Sequence, residues 1–355
     1  MIAIIATTLL FLLILSVLVL IHELGHFFAA RFFGVRVEEF GIGFPPRATS
    51  FMRGNTRYSL NWLPLGGFVR LKGEQGEGAN EKDSFAAKPV WQRVIILAAG
   101  VLMNLFLTII IFTATLSIGM PQVLEDGTTS AKDSKIEITS VLSKSPAEAA
   151  GIQPGDVLQS LDSSSFADIA SVQAYVRDHV GVPISLSLLR GSERVTVSAI
   201  PTILKESGKP GFGVALARVG IVSYPLPTAL VKSVELTGVM AYTIVTTLAN
   251  AIRHFAFDGF VGPVGIAATT ATVTKLGFSY LLNLIAQLSL SLAIFNFLPI
   301  PALDGGRVFF ALLEKTRGKS LEPAIENAIH LLGFVVLITL LIMVTVRDIT
   351  KLFAS

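Results

Sequence analysis

Five residues near the start of the chain could do chemistry together: His22-Glu23-Leu24-Gly25-His26. Helical residues four apart share a face, so the two imidazoles project side by side. Glu23 lies about 100° around the helix from His22. This is the H-E-x-x-H arrangement: two metal ligands and a carboxylate that does not bind the metal but can take a proton from water. The chain has no cysteine, so disulfides, iron–sulfur clusters and thiolate sites are excluded, and any metal must be held by His, Asp or Glu. Two histidines need a third ligand to close a catalytic site with one open position. Asp304 is the acidic candidate at the end of an apolar run, in Asn296-Phe297-Leu298-Pro299-Ile300-Pro301-Ala302-Leu303-Asp304-Gly305-Gly306. Pro299 and Pro301 interrupt the helix and free backbone for contacts with substrate or solvent. An Asp capping the next helix is the plainer reading of Asp304. The other histidines are weaker ligand candidates: His179 lies in a soluble insert, His254 after an amphipathic stretch, and His330 alone on an apolar run.

The elements that must position these residues are membrane elements. Charged residues are 15% of the 355, against about 25% in globular domains, and AVILMFWYC residues are 52%. With a mean hydropathy of +0.68, this excludes a disordered chain, a coiled coil and a typical cytosolic enzyme. The net charge of +3 is too small and too scattered for a nucleic-acid footprint, so no nucleic-acid partner is expected. Four uncharged runs are long enough to cross a hydrocarbon core about 30 Å thick: Met1–Ile21, Val94–Leu124, Leu276–Leu303 and Asn327–Val346. The first lacks a basic n-region and a small-residue cleavage site and continues into His22, which favours a retained span over a signal peptide. Ionisable groups in a span cost roughly 2.5–3.5 kcal/mol each, so His22, Glu23 and His26 facing lipid would go uncompensated. Leu236–Ile252 is short and broken by Thr, Gly and Asn, and Gly259–Thr274 is rich in small residues around Pro263. Both are expected to be interfacial or re-entrant, covered by the spans.

Short loops rich in Lys and Arg mark the cytoplasmic side. Arg36, Arg47, Arg53, Arg57, Arg70, Lys72, Lys82 and Lys88 separate the first two runs, and Arg307, Lys315, Arg317 and Lys319 follow the third. Both loops then lie inside, with the N-terminus and Pro121–Ser233 outside. A crossing at 236–252 would invert the last loop, so parity favours four spans. Arg57–Leu63 and Phe68–Lys72, joined by Pro64-Leu65-Gly66-Gly67, read as a hairpin dipping back toward the site.

Residues 136–200 change character. Ile136–Val141 alternates like a strand. Ser145-Pro146-Ala147-Glu148 carries helix-start signals, and Gly151 sits where a helix-ending glycine belongs. Pro154-Gly155-Asp156 is a turn, Val157–Leu161 a strand, and Ala170–Asp178 a short amphipathic helix. Ile184–Leu189 and Arg194–Ile200 form a hairpin. Through Ser145–Ile152 followed by Pro154–Leu158, the segment resembles a PDZ domain of the bacterial protease type, which implies strand addition of an extended peptide. A closed domain acting only as a steric plug is the other reading. The expected fold class is therefore a polytopic α-helical membrane protein, four spans plus interfacial or re-entrant elements, with an inserted β-rich PDZ-like domain. Its expected parts are a first membrane half (1–120, with the cytoplasmic loop 34–89), the PDZ-like insert (121–205), a linker with the interfacial segment (206–275) and a second membrane half (276–355).

With these motifs together, the chain resembles the bacterial site-2 proteases of the regulator-of-sigma-E type, intramembrane zinc metalloproteases. His22–His26 and Asn296–Gly306 match the two family motifs in full. Weaker matches are Gly41-Ile42-Gly43-Phe44, Pro64–Val69, Ala99-Gly100 with Asn104, and Gly262-Pro263-Val264-Gly265-Ile266. One departure is that a single PDZ-like segment stands where the sigma-E prototype has two. The resemblance implies Zn²⁺ held by His22, His26 and Asp304, with Glu23 as general base and acid. It implies that Asn296, with Pro299 and Pro301, holds the oxyanion or the substrate backbone. It also implies that Gly66, Gly67 and Val69 belong to an edge strand offered to unwound substrate. The implied substrates are transmembrane segments of single-span proteins, anti-sigma factors or signal-peptide remnants, cut in regulated intramembrane proteolysis. The implied setting is the bacterial inner membrane, with the lipid bilayer and a PDZ-bound peptide or the substrate's outer region as further partners. The insert would be extracytoplasmic and the site toward the cytoplasm. The alternative is a non-proteolytic metal-binding membrane scaffold with a PDZ peptide-binding module. Its mark would be loss of Glu23 or of a ligand, and neither is lost. A metal transporter would carry repeated polar residues along several spans, and these spans are almost bare.

Overall fold

The computed structural model describes the chain except residues 1, 75, 77, 79, 125–131, 192, 205–207, 255–259, 320, 321 and 355. The chain divides into two compact units, Met1–Thr113 with Leu230–Ser355, and Ala114–Ala229.

In the first unit, α1 (Ile2–Phe32) runs unbroken through the His-Glu-Leu-Gly-His segment. Gly25 does not interrupt it. A Cβ there would sit 2.3 Å from the Ala99 carbonyl oxygen of α2 (Val90–Ile118), so the glycine is what lets the two helices touch. Between them β1 (Val37–Arg53) and β2 (Thr56–Leu71) form a sheet that corrects the expected hairpin. The two halves of β2 do not pair with each other. Glu39–Ile42 of β1 lies between them, registered with Arg57–Leu60 on one side and Gly67–Arg70 on the other. This central stretch carries a buried charge: Glu39 is 3% exposed and accepts both Arg47 Nη2 contacts, at 2.9 and 3.0 Å. Burial would raise its pKa, but hydrogen bonds from Ser59 and Arg47 overcome this and hold the carboxyl below its ordinary range.

After the insert come α5 (Leu226–His254), α6 (Pro263–Leu276), α7 (Phe278–Phe297), α8 (Asp304–Arg317) and α9 (Pro323–Ala354). Among the described residues, five helices are long and apolar enough to cross a membrane by length and composition: the four expected runs and α5, which is a single helix of 29 residues. The threonines that seemed to break it do not: Thr237, Thr243 and Thr246 return their hydroxyls to the carbonyls of Ser233, Val239 and Tyr242. Helix α6 has 14 residues, about 21 Å, and is too short to span. It packs against α1, α7 and α9. The buried Asp348 carboxylate of α9 accepts from Gly265 N at 2.8 Å, meeting the free N–H groups and positive end of α6. A Cβ at Gly262 would lie 2.7 Å from that carboxylate, which explains the glycines of Gly262-Pro263-Val264-Gly265.

The second unit contains β3 (Met120–Val123), β4 (Lys132–Val141), α3 (Pro146–Ala149), β5 (Val157–Leu161), α4 (Ile169–Asp178), β6 (Ile184–Arg190), β7 (Glu193–Ala199), β8 (Thr202–Ile203), β9 (Pro210–Gly211) and β10 (Val214–Val222). Six strands make one antiparallel sheet in the order β3-β10-β4-β5-β6-β7 over a core of Ile138, Leu161, Val172, Ile184 and Leu188. The unit runs past residue 205 because β10 returns to lie between β3 and β4. The Ser145 cap forms, its Oγ accepting from Glu148 N at 3.2 Å. Asp156 of the Pro-Gly-Asp turn is fully buried and paired by Arg190 through two contacts of 2.7 Å. A cavity of about 740 Å³ runs beside α4 and the start of β10, lined by Val176, Arg177, Lys209, Phe212 and Val214.

Candidate metal centre

His22 and His26 are 5% and 6% exposed, their rings edge to face at 4.8 Å between centroids. Their Nε2 atoms lie 3.1 Å apart, and Asp304 Oδ2, at the start of α8, stands 2.8 Å from the first and 3.3 Å from the second. One ligand atom from each of the three residues thus falls within a common 4.8 Å. Residues 282 apart in sequence, His22 and Asp304, are brought into contact.

Helix α2 orients the imidazoles. His26 Nδ1 donates to Ile96 O at 2.8 Å, which leaves the Nε2 lone pair free. The side-chain amide of the buried Asn104 faces His22 Nδ1 at 3.5 Å, while its own Oδ1 has no partner among the described residues. Turned over, that amide gives Oδ1 the Nδ1–H, the second contact a metal-binding imidazole requires. Asn104 is itself fixed, since its carbonyl accepts from Thr108 and from Ser289 of α7. Gly100 leaves the room: a Cβ would lie 2.4 Å from His26 Nε2 and 2.7 and 2.8 Å from the His22 ring. Two buried imidazole nitrogens and one carboxylate oxygen converging on a space kept clear by a glycine fit a tetrahedral divalent ion with one position left open.

Glu23 takes no part in the contacts among these three; its Oε2 accepts from Val69 N of β2 at 3.0 Å. A cavity of about 170 Å³ opens there, lined by Glu23, His26, Val69, Ala302, Asp304 and Arg307 among others. Arg307 is ion-paired across it with Glu74.

The profile of peptidase family M50 matches residues 10–340. The chain belongs to this family. A relative from Clostridium perfringens is 34% identical over 95% of this chain and 97% of its own length. The zinc metalloprotease RasP of Geobacillus kaustophilus is 28% identical over 97% of each chain. The crystallised PDZ domain of the SdrC-like protein of Listeria innocua aligns over 23% of this chain and 92% of its own, with 24% identity and a TM-score of 0.22. As an M50 peptidase, the protein is a metalloprotease of the site-2 type, with several apolar helices fit to cross a membrane.

The other expected site residues of this M50 peptidase are distributed unevenly. Val69 reaches Glu23, as above. Gly66 and Gly67 are buried and fasten β2 to other elements rather than lining the cavity. Gly66, at φ +81°, donates its N–H to Ser16 Oγ of α1 at 3.1 Å and faces Val19, while a Cβ at Gly67 would meet Gly41 O at 2.8 Å. Ser16 also donates to Pro64 O at 2.7 Å. Asn296 is partly exposed on the last turn of α7 and does not line the cavity beside Glu23. Pro299 is exposed, and Pro301 lies against Gly333 of α9. Ile96 O, Ser16 and the Arg307–Glu74 pair were not visible in the sequence. A backbone carbonyl carries no sequence signal, and a lone serine in an apolar helix is ordinary.

Proposed function

We propose that this protein is an intramembrane zinc metalloendopeptidase that cuts transmembrane segments of single-span membrane proteins in regulated intramembrane proteolysis. The observation that carries this reading is the convergence of His22, His26 and Asp304 beside a carboxylate, Glu23, that belongs to none of the three ligand contacts. These three residues would hold Zn²⁺, which when bound supplies Lewis-acid polarisation and a water of lowered pKa. Glu23 takes the proton of the attacking water and returns it to the leaving amine. The Val69 N–H fixes the carboxylate in place while it waits. Asn296, with Pro299 and Pro301 behind it, is proposed to support the oxyanion or the substrate backbone.

A substrate helix hides its peptide bonds until it unwinds, and an extended segment then needs strand partners. The Gly67–Leu71 end of β2 is paired on one side with β1. Its Val69 and Leu71 N–H groups are instead given to the carboxylates of Glu23 and Glu74. Both must be released for substrate to pair there. A proline at either position would therefore test more than strand addition, because it also removes a bond to a carboxylate. By the loop charges, both basic loops face the cytoplasm and the PDZ-like insert lies outside, in a bacterial inner membrane; this holds with four crossings, so α5 is proposed to lie along the outer surface of the membrane rather than to cross it.

Asp304→Asn tests the centre directly. A neutral amide is a poorer ligand, so zinc content per purified protein should fall together with cleavage of a single-span test substrate. Unchanged zinc content would remove Asp304 from the ligand set.

The insert is proposed to restrict access and to present peptide, with the cavity beside β10 taking a substrate's outer region. Val123 and Val219 are register partners, so residues 124–218 can be replaced by a short linker without opening the stem. Zinc content should then be kept, and cleavage of substrates with large outer domains should rise several-fold or lose selectivity. Complete loss of cleavage in a well-folded, zinc-loaded deletion would indicate an obligate presenting role instead.

A further inference from the structure

We infer that His330 is a positioning residue for the metal centre: its Nδ1 holds the backbone of Ala302 in the left-handed turn that delivers Asp304 to His22 and His26. The inference rests on the proposed ligand set. Between the end of α7 at Phe297 and the start of α8 at Asp304 the chain has six residues in which to reverse. Pro299 and Pro301 forbid a continuing helix. The turn is closed locally by Ile300 N to Leu298 O at 2.7 Å and Leu303 N to Ile300 O at 3.2 Å. Its pivot is Ala302, at φ +81°, a conformation that residues with a side chain adopt only when their surroundings impose it.

What imposes it is α9. Ala302 N donates to His330 Nδ1 at 2.8 Å. One turn further along the same face, Gly333 lets the Pro301 carbonyl approach so closely that a Cβ would lie 2.4 Å from its oxygen. Two consecutive residues of the turn are thus gripped by two residues of one helix. The imidazole is steadied by the edge of Phe310, 5.4 Å away between centroids. Because Nδ1 accepts a backbone N–H, the ring is the neutral tautomer with its proton on Nε2, which is buried 3.9 Å from Glu326 Oε1. His330 therefore spends its one lone pair on the turn and has none for a metal. Its place one helix away from the ligands, aimed at a strained residue two positions before one of them, is the arrangement of a support.

The test uses the full chain in detergent, with Co²⁺ as the probe of the centre. Its visible spectrum reports ligand geometry, and competition with a chelator reports affinity. The parent should bind one Co²⁺, and Asp304→Asn should weaken that binding. His330→Asn places an amide oxygen close to the position of Nδ1 and should retain the parent's spectrum and affinity. His330→Gln sets that oxygen one carbon further out, and His330→Leu removes the acceptor. Both should lose roughly 10–100-fold in Co²⁺ affinity, as expected for an orienting contact behind a ligand, and shift the spectrum. Ala302→Gly added to His330→Leu should recover much of the loss, because glycine takes this φ without a side-chain penalty. If His330→Leu does not fold, the Asn and Gln variants still decide the matter. Parent-like spectra and affinities in both Gln and Leu variants would overturn the inference while leaving the ligand set standing. A parent that binds no Co²⁺, or binds it indifferently to Asp304→Asn, would overturn the ligand set and this inference with it.

Discussion

Glu23→Gln should leave the protein folded and loaded with zinc, yet lower cleavage of a single-span substrate by roughly 10²–10⁴-fold, the usual worth of a placed general acid–base group. The substitution is nearly isosteric. Its amide oxygen can still accept from Val69 N, which Glu23 Oε2 now meets at 3.0 Å, so β2 keeps its attachment to α1. The ligand contacts run between His22, His26 and Asp304 and do not involve Glu23, so the metal has no reason to leave. What the amide cannot do is take a proton. Elemental analysis beside a turnover assay separates these effects. Near-native turnover in a zinc-loaded Glu23→Gln protein would end its assignment as the base.

Gly100→Ala should empty the centre while leaving the helices intact. The new Cβ would stand 2.4 Å from His26 Nε2 and 2.7 Å from His22 Cε1, well inside van der Waals contact and on the side where the ligand atoms converge. Drawing the helices apart would give up the close packing of Gly25 on the Ala99 carbonyl and the hydrogen bond from His26 to Ile96 O. The imidazoles must therefore turn, and metal affinity should fall by about a hundredfold or more, beyond the usual loss of an orienting contact. Alanine is the better helix former by roughly 0.5–1 kcal/mol, so this loss should come without a matching loss of helix content by circular dichroism. Gly238→Ala on α5, where a Cβ meets nothing within 4 Å, is the control and should leave zinc content unchanged. Full zinc occupancy in Gly100→Ala would show that α1 and α2 are free to separate.

The candidate cluster was legible at once where its residues are neighbours on one helix. His22, Glu23 and His26 declare themselves by spacing, and Asp304 by being an acid at the end of an apolar, proline-broken run. The reading of α5 as broken failed because threonine counts as polar in a one-dimensional tally, whereas in a helix its hydroxyl is satisfied by the carbonyl one turn back. The β1–β2 arrangement was missed because Pro45-Pro46 lies inside β1 and the glycines of β2 read as turn residues. Glu39, buried in the sheet and paired with the exposed Arg47, looks in sequence like one more charge of a cytoplasmic loop.

By itself the amino-acid sequence determined the local order of this protein: which stretches are apolar enough for a membrane, where an insert interrupts them, and which side chains share a helix face. These follow from hydropathy and from the period of the helix, which act within a few residues. Only the tertiary structure decided what surrounds the site. It set α2 behind the imidazoles with Ile96, Gly100 and Asn104, gave Glu23 its backbone donor at Val69, and made His330 the holder of a turn on another element. Those contacts join residues 28 to 82 positions apart through carbonyls, N–H groups and missing Cβ atoms. Every residue has such backbone groups, so nothing in the side-chain order marks which of them will meet.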